Sequence, residues 1–482
     1  MYKNILINIF SYGFSTVIIK IFPFIISPFI TERFGPHAIA PFIDFYSIAG
    51  IVIVLLTHGM ETSFFRFAQE NINSRKLLAT SSVSVMIVSF LFILLSLFFR
   101  HPIAVFFRTP DQINYLVMLI LILGIDGICA MPFVILRKEN KSKKYTIIKS
   151  INAFTNFILI IFLIVIFPNY TLNFFGLNIS YNSKFGIGYV FLSNLIASII
   201  TLLFLLKEFR KINVKYFDFT LWKDLLKYSV PIMIAGLSGV INESLDRQFL
   251  KYLLPANKNI EQMAIYGSVY KLATVIIIFR QAYLLGVEPF FFSHSKNKNS
   301  IITYSNLMTW FIIINTIVFL FLCVNLNWIS QIYIRNPQYY VGLTIIPIIL
   351  MASIFLGIYL NLSIWYKLSD KTIFGAYMSL IGAIITVLIN YFFIPKYGYW
   401  ASAWATFVAY FSMMIISYFL GRKFYPIPYK VKTNLLYLSL SIIFSMISIY
   451  IFNENILVGN VFFILFLLIV FFKQKLYSLI KI

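Results

Sequence analysis

Acidic side chains are scarce in this chain. Of 482 residues only 16 are Asp or Glu, against 39 Lys or Arg. Charged residues of both signs reach 11%, where a soluble domain carries about 25%. That is too few to build a polar shell around a soluble core of this length. Cysteine is nearly absent, with only Cys129 and Cys323, both inside apolar runs. A disulfide framework and a thiolate metal site are therefore excluded. Of the four histidines, His37, His101 and His294 fall in loops and His58 at the end of an apolar run, so no metal-spaced cluster forms. No Gly-rich phosphate loop or nucleophile motif occurs, so no cofactor, metal or enzymatic activity is expected. Period-two alternation, the signature of a membrane barrel, is also missing.

What the chain has in abundance is apolar sequence. It is 60% hydrophobic and 19% aromatic. Apolar runs of about 17–25 residues, the length that spans hydrocarbon as a helix, recur from end to end. They predict an all-α membrane protein of about fourteen transmembrane helices. The spans are 5–30, 38–60, 77–99, 113–136, 145–167, 185–206, 225–250, 264–292, 301–324, 341–366, 372–394, 400–421, 435–452 and 457–473. Met1 to Asn8 holds one Lys and no small-residue cleavage site stands out, which reads as a retained first helix.

The net charge of +23 does not indicate nucleic acid, because the bases cluster in short gaps between apolar runs. Alternate gaps differ sharply. One set holds 25 Lys and Arg, among them Arg137, Lys138, Lys207, Lys371, Arg422 and Lys423. The other holds 8: Arg33, Arg100, Arg108, Lys184, Lys251, Lys258, Arg335 and Lys396. The positive-inside rule then places both termini in the cytoplasm. The gaps of the second set are short, and the longest, around Pro168 to Lys184, has no room for a folded domain.

The first twelve spans repeat. Ala40 to Ala49 in span 2 can be laid over Ala264 to Ala273 in span 8, and Gly59-Met-Glu61 over Gly286-Val-Glu288. A weaker echo relates Asn156 to Pro168 with Asn390 to Pro395. Spans 1–6 thus map onto spans 7–12 in the same orientation. This predicts two pseudo-symmetric six-helix lobes, residues 1–210 and 211–423, followed by two additional helices, residues 424–482. Prolines inside spans 1, 7 and 10 (Pro23, Pro28, Pro231, Pro347) suit helices that bend.

Three stretches carry a family resemblance. Ser229-Val-Pro231 opens span 7 and Asp246-Arg247-Gln248 closes it. Tyr266-Gly267-Ser268-Val-Tyr270 runs on to Glu288-Pro289-Phe290. Asn390 through Pro395 and Gly398 to Ala401, Ala403, Ala405 and Thr406 joins spans 11 and 12. Together they resemble the polysaccharide-transporter branch of the MOP (MATE-like) superfamily, which holds O-antigen and related lipid-linked oligosaccharide flippases. Two departures are visible. Trp400 stands where the pattern has Gly, and the glycine and tyrosine of span 8 are spaced differently. The resemblance implies a flippase moving an undecaprenyl-diphosphate-linked oligosaccharide (O-antigen, capsule or exopolysaccharide unit) across a bacterial cytoplasmic membrane. Its partners would be that lipid-linked substrate, membrane lipids and glycan polymerase or biosynthesis machinery, with no nucleic acid. A MATE-type cation-coupled drug antiporter is the rival within the superfamily. A membrane glycan polymerase or glycosyltransferase is the remoter one, since such enzymes generally need a large outer loop.

Ionisable residues inside a span are costly, so each is a functional candidate. The basic ones are Lys20, Arg247, Lys271 and Arg280, with Lys20 and Arg280 favoured for a cavity that receives a diphosphate. The acidic ones, Asp44, Asp126, Glu243, Asp246 and Glu288, are candidates for coupling or ion pairing. Asp44 is at a depth to pair with Lys20. Glu243 and Arg247 share a helical face. Asp246 points elsewhere, and Glu288 lies near the face of Arg280. Asp126, between Gly124 and Gly127, suits an inter-helix hydrogen bond or a coupling carboxylate. Lys149 and Lys227, near inner ends, read as snorkelling bases. Trp365, Trp400 and Trp404 read as an interfacial belt.

Overall fold

A computed structural model describes residues 21–69, 73–174, 177–294, 300–369 and 371–474. Helix α1 covers 21–33, followed by α2 (Pro36–Thr57), α3 (Met60–Phe67), α4 (Ser74–Phe98), α5 (Arg100–Phe106), α6 (Ile113–Lys138) and α7 (Ser142–Ile160). A short hairpin, β1 (Leu172–Phe174) and β2 (Leu177–Ile179), occupies the longest loop and pairs Asn173 with Asn178. Then come α8 (Gly188–Phe209), α9 (Phe219–Leu253), α10 (Asn259–Val269), α11 (Thr274–His294), α12 (Ser300–Val324), α13 (Leu326–Tyr333) and α14 (Ile346–Leu362). The chain ends with α15 (Ile364–Leu368), α16 (Ile373–Tyr397), α17 (Tyr399–Phe424), α18 (Val431–Met446) and α19 (Ile456–Lys473).

Thirteen helical segments among the described residues are long and apolar enough to cross a membrane. They coincide with spans 2–14 of the sequence reading. Span 1 lies mostly outside the described residues. The protein is a multi-pass, all-α membrane protein.

Local sequence sets the helix ends. The Asp218 carboxylate accepts the N–H groups of Thr220 and Leu221 and starts α9. Asn73 and Asn455 do the same for α4 and α19. These side chains satisfy donors that a helix start otherwise leaves bare. Span 2 is broken between α2 and α3 at His58 and Gly59, both with positive φ (34° and 69°). A Cβ on Gly59 would meet the Ser229 carbonyl oxygen at 2.5 Å, so glycine permits both the turn and a close approach to α9.

The chain divides into two compact units, Met1–Ala264 and Ile265–Ile482. In the first, α6 packs with α4 and α8, α7 with α8, and α9 runs along α2 and α3. One core there is made by Met60, Phe64, Leu77, Val85, Met131, Val134 and Leu225. In the second, α17 lies against α14 and α16, and α12 against α14, α18 and α19. Buried small residues, Ala401, Ala403, Ala405 and Ala409, let α17 approach its neighbours closely. Buried hydroxyls donate back to carbonyls one turn earlier, as Thr316 does to Ile312 and Thr406 to Ser402. They add polarity without an unmet donor.

Candidate functional site

Within the first unit, polar groups gather at two levels. The first level is a buried network on the α2–α9 seam. Asp44 and Lys251 are each only 2% exposed. The Lys251 ammonium pairs with Asp44 Oδ2 and also donates to the Phe107 carbonyl. Gln248 Nε2 donates to Asp44 Oδ1 at 2.8 Å and to Ser47 Oγ at 2.7 Å. The Asn259 amide closes the far side on the Lys251 carbonyl at 2.9 Å. Charges this deep persist only when paired and hydrogen-bonded, which is the case here.

This network corrects one expectation. Asp44 takes Lys251 as an ion-pair partner, while Lys20, at a depth to pair with Asp44, lies outside the described residues. Lys251, counted with the loop bases from its place near a span end, is a buried seam residue. The pairing joins positions 207 residues apart, so local pattern holds no trace of it. Gln248, the third residue of the Asp-Arg-Gln stretch, completes the network. Its neighbours behave differently. Asp246 is 1% exposed, and Arg247 donates to the Glu243 backbone carbonyl at 2.9 Å.

The second level is mid-membrane. Asp126 sits halfway along α6, about 20 Å from its start at 1.5 Å per residue, yet it is exposed rather than packed away. Its Oδ1 accepts from Ser198 Oγ on α8 at 2.9 Å. Lys149 of α7 bears electrostatically on it, while the Lys149 ammonium rests over the Phe133 ring at 4.2 Å. Tyr46 of α2 accepts a hydrogen bond from the Asn194 amide, and the Asn152 amide donates to Thr201 Oγ1 at 2.9 Å. The expectation of an inter-helix hydrogen bond at Asp126 is met by Ser198. Lys149 thus acts on Asp126 through space, from a position over the Phe133 ring.

At the other end of α2, His58 Nε2 shares Ser84 Oγ (2.9 Å) with the Trp222 indole N–H (2.9 Å). These bonds fix the break in span 2 against α4 and α9.

In the second unit, Arg280 is 5% exposed and its stem lies beside Gly357, where an added Cβ would be 3.5 Å from Arg280 Cδ. Tyr283, one turn further along α11, donates to Asn361 Oδ1 at 2.8 Å. Lys271 lies in a 3-10 turn, Tyr270–Ala273, that interrupts span 8 before α11. The side chain of Glu288 lies outside the described residues. Asn390, from the stretch joining spans 11 and 12, accepts from Ser402 Oγ at 2.9 Å and donates to the Thr386 carbonyl at 2.9 Å. With Gly398 at φ 56°, it clasps α16 to α17, so that motif is architectural. Trp365 is 1% exposed and donates to Ser417 Oγ at 3.1 Å. It is a core residue, which corrects the interfacial-belt expectation.

The helical fold is of the kind found in three solved membrane proteins. The chain is similar to the lipid II flippase MurJ in an inward closed conformation, with TM-score 0.75 and 17% identity, covering 96% of this chain and 99% of that one. It is also similar to an inward-facing multidrug resistance MATE family transporter of the MOP superfamily, with TM-score 0.67 and 14% identity over 85% and 94% of the two chains. A third similarity is to MATE in the straight conformation, at TM-score 0.59 and 13% identity over 87% and 95%. No curated protein matches it by sequence. The pattern of the family described as "Polysaccharide biosynthesis protein" matches residues 5–294. The chain belongs to that polysaccharide biosynthesis protein family.

Proposed function

We propose that the protein is a flippase that moves an undecaprenyl-diphosphate-linked oligosaccharide, the repeat unit of an O-antigen, capsule or exopolysaccharide, from the inner to the outer leaflet of a bacterial cytoplasmic membrane by alternating access. The observation that carries the reading is the mid-membrane cluster on α2, α6, α7 and α8 in a chain of the polysaccharide biosynthesis family. Tyr46, Asn194, Ser198, Asn152 and Thr201 offer neutral donors and acceptors suited to sugar hydroxyls. Lys149 adds a cation at a depth where a phosphate would otherwise be poorly solvated. Lys20 and Arg280 are proposed as further cationic contacts along the path.

The cycle follows from the repeat. Residues 1–210 form one six-helix lobe, 211–423 the second, and 424–482 an appended pair, with both termini cytoplasmic. By this division α2 and α9 belong to different lobes. Their seam, closed by Asp44, Lys251, Gln248 and Ser47, is the outer gate. Opening it hydrates both charges and exposes the cavity to the outside. The glycan is then handed to the polymerase machinery outside. A cation-coupled drug antiporter would use Asp126 as its coupling carboxylate. The charge acting on Asp126 is that of Lys149, which favours an anionic cargo over a cationic one.

The test is genetic. Deleting the gene in its host should lower surface glycan and leave lipid-linked repeat units on the inner leaflet. Wild type should restore export, and an Asp126→Asn/Lys149→Ala variant should restore it at least tenfold less. Undiminished surface glycan after deletion, accompanied by new sensitivity to cationic drugs, would overturn the reading in favour of the antiporter.

A further inference from the structure

We propose that the inner end of the Ile265–Ile482 unit holds a binding site for the phosphate headgroup of an anionic phospholipid, with Arg422 as its phosphate ligand. The assignment of this end to the cytoplasmic leaflet rests on the loop-charge reading. The binding itself is independent of what the protein transports.

The site is a cavity of about 500 Å³, within the range of small-molecule sites. It lies where α17 ends, α12 begins and α14 passes into α15. The α17–α18 connection, Tyr425 to Lys430, straps across it. Its walls include Trp365, Tyr418, Arg422, Tyr425, Pro428 and Tyr429. Arg422 sits in the last turn of a membrane-spanning helix, which is the depth of lipid headgroups.

The charge balance points to an anion. No Asp or Glu lines the cavity. From residue 301 onward the sequence holds only two acids. Glu454 stands beyond the opposite end of α18, and Asp370 lies outside the described residues. Arg422 makes no ion pair among the described residues. The neighbouring cations are held elsewhere, with Lys371 and Lys423 lying over the Phe424 ring at 3.6 and 5.8 Å. They meet the negative end of α17 and leave the guanidinium of Arg422 to the cavity. A guanidinium presents a planar fork that matches two phosphate oxygens. The Tyr418 and Tyr425 hydroxyls are further donors on the same walls.

The walls are fixed before any ligand arrives. The Trp365 ring lies against Phe424 at 5.6 Å and 15°. A Cβ on Gly421 would meet its Cδ1 at 2.8 Å. The strap is held by Ser305 Oγ donating to the Pro428 carbonyl at 2.7 Å and by the Tyr425 N–H on the Gly421 carbonyl at 2.8 Å. Pro426 and Pro428 restrict its backbone further. Burial pushes the Tyr429 phenol up, so it stays neutral and adds no competing negative charge. A preformed pocket loses little freedom on binding. Basic pockets between transmembrane helices on the cytoplasmic side are the setting in which anionic lipid heads bind.

The test uses the full chain, purified in detergent and stripped of lipid, titrated with phosphatidylglycerol or phosphatidylcholine and read by native mass spectrometry. One phosphatidylglycerol per chain should bind tightly and phosphatidylcholine at least tenfold more weakly. Arg422→Gln should weaken phosphatidylglycerol binding about tenfold or more. Arg422→Lys, which keeps the charge and loses the fork, should weaken it less and serves if the glutamine variant misfolds. Lys396→Gln, at the other end of α16, should leave it unchanged. Wild-type binding by both Arg422 variants, or equal binding of the two lipids, overturns the proposal. Inorganic phosphate binding as tightly as the lipid overturns the lipid as the source of the phosphate.

Discussion

Replacing Lys251 by methionine leaves the Asp44 carboxylate buried with Gln248 but without its cation. Both residues of the pair are 2% exposed, so solvent cannot take over the lost interaction while the α2–α9 seam stays shut. Stranding one member of a buried pair costs about 3–5 kcal/mol. If the seam is a gate, hydration in the open state relieves that cost. The closed state is then penalised relative to the open one by about 3 kcal/mol, or about 150-fold in population at 1.36 kcal/mol per tenfold. The reporter is a cysteine in place of Val240, which faces Gly50 across the seam, challenged from outside with a membrane-impermeant maleimide. The native Cys129 and Cys323 are buried and stay silent. Labelling in Lys251→Met should rise by up to about 100-fold and Tm should fall. Adding Asp44→Asn removes the stranded charge and should recover most of both effects, because losing both partners of a buried pair is nearly neutral. Unchanged labelling in the single variant, or a double variant as perturbed as the single, would refute the gate.

Other expectations rest on separate contacts. Gly59→Ala forces a Cβ against the Ser229 carbonyl at a positive φ and should cost about 1–3 kcal/mol; a wild-type Tm would contradict it. Gly357→Ala drives a methyl to 2.3 Å from the Phe311 ring and should lower Tm by a similar overpacking cost of about 1–3 kcal/mol, while also disturbing Arg280. The Leu221 N–H, then the Lys76 ammonium, hold the Asp218 carboxyl below the usual carboxylate range. Its contribution to stability is therefore complete above the unfolded value of about 4 and is lost as pH falls through the depressed one. The Tm deficit of Asp218→Ala should be present at pH 6 and shrink below about pH 4; a deficit independent of pH would refute the linkage.

Much of the fold was legible because a bilayer demands it. Runs long enough to span hydrocarbon gave spans 2–14, and caps such as Asp218 and Asn455 stand where the apolar runs begin. The break at Gly59 was present in the repeat alignment but read as a match rather than a turn. The site was less legible because it is made by pairing across distant sequence. Asp126 was visible by its mid-span place, and its Ser198 partner came only with the fold. Lys251 counts as a loop base by its place near a span end, and only packing reveals that Asp44 holds it in the seam. Trp365 shows the same limit for aromatics, since position near a span end does not tell a core ring from an interfacial one.

Movement of a lipid-linked glycan between leaflets can be measured directly as the fraction of a fluorescent undecaprenyl-diphosphate oligosaccharide that an externally added glycan-cleaving enzyme reaches in sealed proteoliposomes over time. Wild type should raise this fraction from about half toward completion, Asp126→Asn/Lys149→Ala should slow the rise at least tenfold, and empty liposomes should stay at half. A wild-type time course that matches empty liposomes would contradict the flippase reading.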